Sequence, residues 1–137
     1  MSRTQLAPGH AREYETIYIL RPNLDKEEAE KVATRVSDAI SGTEGKLTMA
    51  ELWGRRRLAY QIKKHHHGTY VYLKYLGQGA TVSELERQLR LLDGVIRYKT
   101  IVLQNNVKVA EVEVEAGSLE LDFDLPYEPD EPELSRE

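Results

Sequence analysis

Apolar and polar positions along the chain fall into six segments with alternating periods. Tyr14-Glu-Thr-Ile-Tyr-Ile-Leu20 is rich in aromatic and β-branched residues and stops at Arg21-Pro22-Asn23, which predicts a strand and a turn. Asp25, with Glu28 three residues on and acids in the first turn, predicts a capped helix start. Ala29, Val32, Ala33, Val36 and Ile40 then share one helical face, and Gly42 is the expected stop. Lys46 to Lys64 reads as a long extended stretch with a bulge near Gly54. His65-His66-His67-Gly68 is the expected turn into a further strand, Thr69 to Leu76. Thr81, with Glu84 three later, predicts a second capped helix carrying Val82, Leu85, Leu89 and Leu92 to Asp93-Gly94. Val95 to Leu103 is the last strand.

The order β-α-β-β-α-β, with both helices crossing between strands in the right-handed sense, places them on one face of a four-stranded antiparallel sheet. This is the ferredoxin-like split α+β arrangement. A sheet covered on one side should be apolar at one parity only. Thr16, Tyr18 and Leu20 fit the covered face together with Val71, Leu73 and Tyr75. Ile17, Ile19, Tyr70 and Tyr72 fall on the other face, beside Lys74. So much apolar surface in one place predicts a docked partner there.

Charge changes the picture, because its two signs are separated. Residues 1–108 hold 18 basic and 12 acidic residues, a net of +6, whereas residues 109–137 hold 1 and 11, a net of −10. The overall −4 hides a basic body and an acidic tail. Three parts follow: an N-terminal extension over 1–11, a folded domain over 12–108, and a tail over 109–137. The tail has too little apolar surface to offset its ordering entropy, so disorder is expected. The chain contains no cysteine, which excludes disulfides and thiolate chemistry, and its first residues lack the apolar run of a secretory signal. A cytoplasmic location is the expectation.

Arg55-Arg56-Arg57 is the densest charge in the body, followed closely by Lys63 and Lys64. Cations on a long hairpin suit phosphate neutralisation with little base readout. Arg12, Arg97 and Lys99 add charge at strand ends. The three histidines cannot converge on one ion from a strand, since neighbours point to opposite faces, and no metal site is expected. No phosphate-cradling glycine loop or nucleophile–base arrangement is present, so no enzymatic activity and no cofactor are expected. Gly68-Thr-Tyr-Val-Tyr-Leu-Lys-Tyr75 is aromatic without the order of an RNA-recognition motif, which favours backbone contacts over base stacking.

Tyr14-Glu15, Leu20-Arg-Pro-Asn-Leu-Asp25, Glu51-Leu-Trp-Gly-Arg-Arg-Arg-Leu-Ala-Tyr60 with Ile62-Lys63, Gly68-Thr-Tyr and Leu85 to Val102 occur in order. This set resembles the bacterial small-subunit ribosomal protein number six family across about Arg12 to Leu103. The resemblance implies binding to the central domain of small-subunit ribosomal RNA, together with ribosomal protein number eighteen, a short basic protein. It also implies that Arg55, Arg56 and Arg57 lie in the family's hairpin motif, with Arg12, Lys63, Arg97 and Lys99 as weaker RNA contacts; Lys64 joins the RNA candidates on its charge in the basic segment. Ile17, Ile19, Tyr70 and Tyr72 become the candidate partner surface. The residues before Arg12 and the long acidic tail depart from the family pattern. A ligand-sensing regulatory dimer on the same fold is the alternative, and the arginine run argues against it.

Overall fold

The computed structural model describes residues 8–112. Strand β1 (His10–Leu20) leads to helix α1 (Lys26–Gly42), then β2 (Lys46–Ile62), β3 (His65–Gly77), α2 (Gly79–Leu91) and β4 (Val95–Lys108). A short 3-10 turn, Val109–Glu111, follows. The sheet runs β2-β3-β1-β4 with every pairing antiparallel, and the expected ferredoxin-like fold is present. The compact part exceeds the expected 12–108 at both ends. His10 and Ala11 belong to β1, and Val109 donates its N–H to the Gly9 carbonyl at 2.9 Å. The acidic segment from residue 113, and the disorder expected of it, lie outside the described residues.

Both helices pack on the face carrying Tyr14, Thr16, Tyr18, Leu20, Val71, Leu73 and Tyr75. From α1 come Ala29, Val32, Val36 and Ile40, and from α2 come Leu85 and Leu89. Period 2 on the strands meets period 3.6 on the helices along one layer. A polar chain crosses this layer: Thr16 Oγ1 lies 2.9 Å from the Tyr75 hydroxyl and 2.7 Å from Thr100 Oγ1. Burial pushes the Tyr75 hydroxyl up to about 12, and it raises that of Tyr18 as well.

Three local expectations need correcting. Asp25 caps α1 as anticipated, accepting the Glu28 N–H at 2.9 Å, and the helix ends at Gly42 as expected, with Thr43 at the C-cap. The chain reverses at Glu44, with φ 65°, and Gly45 N–H returns to the Ile40 carbonyl at 2.8 Å. Thr81 is not the cap of α2. Gln78 holds that position, and the buried Thr81 hydroxyl accepts the Gln78 N–H at 3.2 Å from within the first turn. The histidines are not the hairpin turn: Lys63 and Lys64, with φ 50° and 71°, make the two-residue turn, and His65–His67 open β3. Consecutive positive φ angles match the twist that two-residue hairpins need, which a His-His-His-Gly loop would not supply. Finally, β4 continues five residues past Leu103, because β1 pairs with it back to His10. The bulge at Gly54 is where the sequence placed it, with φ 92°.

Candidate nucleic-acid interface

Strand β1 ends at Leu20, paired with Thr69 of β3. The part of the β2–β3 hairpin beyond that pair therefore projects past the sheet as a two-stranded arm. Register places Arg55 opposite Thr69, Arg56 opposite Gly68 and Arg57 opposite His67, and then slips so that Ile62 faces His65. The four residues of the slip bend the arm. Leu58 turns inward and is buried with Ile19 and Ile96, and Ile62 and Tyr70 pack around them. Gly68 allows this closure, since a Cβ there would collide with the Ile19 side chain.

Cations cluster on this arm without any acid among them. No Asp or Glu occurs from Leu52 to Ser83. Arg56, Arg57, Lys63 and Lys64 are exposed, and Arg55 is half-buried. Arg56 is held in place: its Nε and Nη2 donate to the Trp53 carbonyl at 3.3 and 3.1 Å, and its guanidinium sits 5.6 Å from the Trp53 ring centre. Arg97 of β4 joins the group by donating to the Tyr60 hydroxyl at 3.4 Å, and Lys99 lies two residues along on the same face. Arg12 does not join. It pairs with Gly77 at the opposite end of β1, eight residues from Leu20, about 26 Å away.

The uncovered sheet face differs from the expected apolar patch. Of its four candidates, Ile19 is only 7% exposed, closed over by Leu58 and Ile96 of the same chain, and Tyr70 is half-buried against that cluster. Ile19 is therefore a core residue and offers no contact area to another molecule. Ile17 and Tyr72 remain half-exposed, in a cross-strand row Glu51–Tyr72–Ile17–Lys99. Trp53 stacks on Tyr72 with ring centres 5.1 Å apart and planes within 6°, and its indole N–H donates to Glu51 at 3.0 Å. The Tyr72 hydroxyl donates to Glu15 at 2.7 Å; partial burial, then this acceptor, raise its pKa. Glu13 lies beyond, held by Gln104 at 3.0 Å, and the exposed Ile101 faces Glu15. The middle of this face is thus aromatic and acidic. Sequence reading missed Glu51 and Trp53 because it weighed parity only on β1 and β3, and missed Glu15, which shares the parity of Ile17 on β1, because it followed apolar residues alone on that face.

Among the described residues no group of three or more His, Asp or Glu is placed to hold a metal ion, and no helix is long and apolar enough to cross a membrane. His66 instead lies 3.0 Å from Gln61 across the turn.

A family model described as ribosomal protein S6 matches residues 13–102, which include both strands of the arm. The chain belongs to the ribosomal protein S6 family. Small ribosomal subunit protein bS6 of Geobacter sp. (strain M21) is 45% identical over 97 residues, covering 71% of this chain and 72% of that protein. Its counterpart in Geotalea uraniireducens (strain Rf4) is 46% identical over 99 residues, covering 72% and 77%. The crystal structure of 30S ribosomal protein S6 from Thermotoga maritima superposes with a TM-score of 0.63 at 34% identity, over 67% of this chain and 87% of that one. Membership gives a structural ribosomal protein of the small subunit, not an enzyme, working on the cytoplasmic ribosome.

Proposed function

We propose that this chain binds the central domain of small-subunit ribosomal RNA through the β2–β3 arm, together with ribosomal protein number eighteen. The observation that carries the reading is the arm itself: Arg55 is level with the end of β1, and Arg56, Arg57, Lys63 and Lys64 project beyond it, in a stretch without acids. Cations so placed neutralise phosphates and release counterions, which gives affinity that falls steeply with salt. Arg97 and Lys99 extend the same surface, and Arg12, at the far end of β1, meets a separate stretch of RNA.

The acidic and aromatic sheet face supports the second half of the proposal. Glu13, Glu15 and Glu51 around Trp53, Tyr72 and Ile17 complement a short basic polypeptide in charge and offer aromatic faces to its cations. The partner surface is accordingly Ile17 and Tyr72 with these neighbours, with Tyr70 at its margin. Replacing Arg55, Arg56 and Arg57 by Ala should sharply weaken binding to transcribed central-domain RNA in the presence of the companion protein, while leaving the circular dichroism spectrum unchanged. A folded triple variant with undiminished low-salt affinity refutes the assignment.

A further inference from the structure

The cations of the arm leave one of its side chains without a task. Tyr60 is 65% exposed, the most exposed aromatic residue among those described. The other rings are buried, as in Tyr14, Tyr18 and Tyr75, or half-buried, as in Tyr70, Tyr72 and Tyr98, and Trp53 lies flat on Tyr72. A single exposed aromatic is ordinary on a protein surface. What sets Tyr60 apart is its setting. We propose that Tyr60 is a stacking platform for one unpaired base of the bound RNA, with Arg97 taking the phosphate beside it.

The way the ring is held comes first. Leu58 is buried with Ile19 and Ile96, which pins the bend of the arm to the corner of the sheet where Arg97 pairs with Ile19. Tyr60, two residues on, reaches the same corner, and its hydroxyl accepts a hydrogen bond from Arg97 Nη1 at 3.4 Å. A ring tethered at both its backbone and its hydroxyl has lost freedom before any ligand arrives, so a base that stacks on it orders little more.

Charge points the same way. Arg97 is exposed and spends one nitrogen on a neutral hydroxyl, so its positive charge stays available to a phosphate. Lys99 lies two residues along β4, and no Asp or Glu occurs from Leu52 to Ser83. Trp53 and Tyr72 stand instead beside Glu51 and Glu15, which repel a nucleotide. The aromatic ring that RNA can approach is therefore the one on the arm. Cations alone accept any RNA backbone, whereas a ring accepts a base only when that base has left its helix. Tyr60 thus adds a preference for a bulge or loop to an arm that otherwise reads charge.

This rests on the reading of the arm as the RNA surface, and the variants separate the two ideas. In the full-length chain, Tyr60→Ala should weaken binding to transcribed central-domain RNA about 5- to 150-fold, the usual worth of one stacked base. The salt slope should not change, because no charge is lost. Tyr60→Phe keeps the aromatic face and loses only the hydroxyl, so it should bind nearly as the unaltered protein does. If Tyr60→Phe is as weak as Tyr60→Ala, or the salt slope falls with the ring, Tyr60 acts only by holding Arg97 and the stacking is overturned. The base is found with RNAs carrying one abasic nucleotide at a time among the unpaired positions. At one position the loss should equal that of Tyr60→Ala, and the variant should lose nothing further on the same RNA. Equal losses for both proteins at every position overturn the proposal. Weakened binding by the triple arginine variant with none by Tyr60→Ala sinks the stacking alone. The reverse pattern sinks the arginine assignment and supports the base site.

Discussion

Lys63 and Lys64 occupy a turn that does not suit them, and the cost of keeping them there can be measured against their use. Both adopt positive φ, 50° and 71°, where an L side chain loses roughly 1 kcal/mol or more relative to glycine or asparagine. The double substitution Lys63→Asn/Lys64→Gly gives this two-residue turn the side chains its backbone prefers. We expect a gain of about 1–2 kcal/mol, seen as a rise of about 0.5–1 M in the urea midpoint without a change in slope. The same substitution removes two exposed cations from the tip of the arm. Each phosphate contact contributes about 0.7–0.9 to the dependence of log affinity on log salt, so the salt slope for RNA should shrink by roughly 1.4–1.8. At 0.1 M salt this corresponds to roughly 40-fold weaker binding relative to an extrapolation to 1 M. The assay is RNA binding by filter retention across a salt series, paired with urea unfolding of the same protein. A more stable variant with an unaltered salt slope refutes the claim that the turn lysines meet phosphate.

Four further outcomes concern the body that holds the arm. Thr16→Val removes one of the two threonine partners of the buried Tyr75 hydroxyl and should cost about 1–3 kcal/mol in urea unfolding, while Thr16→Val/Tyr75→Phe should cost less than the sum of the single changes. The buried Tyr18 hydroxyl has no hydrogen-bond partner among the described residues, so Tyr18→Phe should be neutral or stabilising by about 1 kcal/mol. Tyr75 in the folded protein ionises at about 12 against about 10 when unfolded, so the native state holds its proton more tightly. Stability is therefore full below pH 10 and falls by up to roughly 1.4 kcal/mol per unit as pH rises toward 12, with Tyr18 adding to the loss; the slope should flatten in Tyr18→Phe. Gly68→Ala forces the Ile19 side chain out of the small cluster under the arm and should destabilise by about 1–3 kcal/mol, read as a lower urea midpoint.

Element order and the covered face were legible because hydrophobic period is a local property of the chain. Tyr14 to Leu20 and Leu85 to Leu92 announce their burial in their own spacing. What escaped depends on contacts distant in sequence. Nothing around Thr81 reveals that its hydroxyl is buried and turned back to Gln78. The turn was misplaced onto the histidines because Lys-Lys is a poor two-residue turn by propensity, and tertiary demands overrode it. Ile19 was taken for open surface because parity alone cannot show that a slipped register brings Leu58 over it. The arginine run was plain in the sequence. Its union with Arg97 through Tyr60, and its separation from Arg12, needed the strand order.

One sheet carries two surfaces of opposite charge, and their separation decides whether two ligands can be held at once. Glu15 faces Lys74 on β3, ten residues from Lys64 at the arm's tip, roughly 30 Å along the strand. The screening length at physiological salt is about 8 Å, so the acidic patch contributes almost nothing to the field that a phosphate meets at the tip. RNA at the tip of the arm and a basic polypeptide on the sheet face therefore need not compete, while Arg56 and Lys99, which adjoin Trp53 and Ile17, mark the border between the two surfaces. Their charges can also be altered one at a time. Glu15→Gln keeps an acceptor for the Tyr72 hydroxyl yet removes a charge from the patch. It should weaken capture of the basic companion and leave the salt slope for RNA alone unchanged, while Lys64→Gln should do the reverse. If Glu15→Gln altered the RNA slope as much as Lys64→Gln did, the two surfaces would be one, and the division of labour argued from strand register would be wrong.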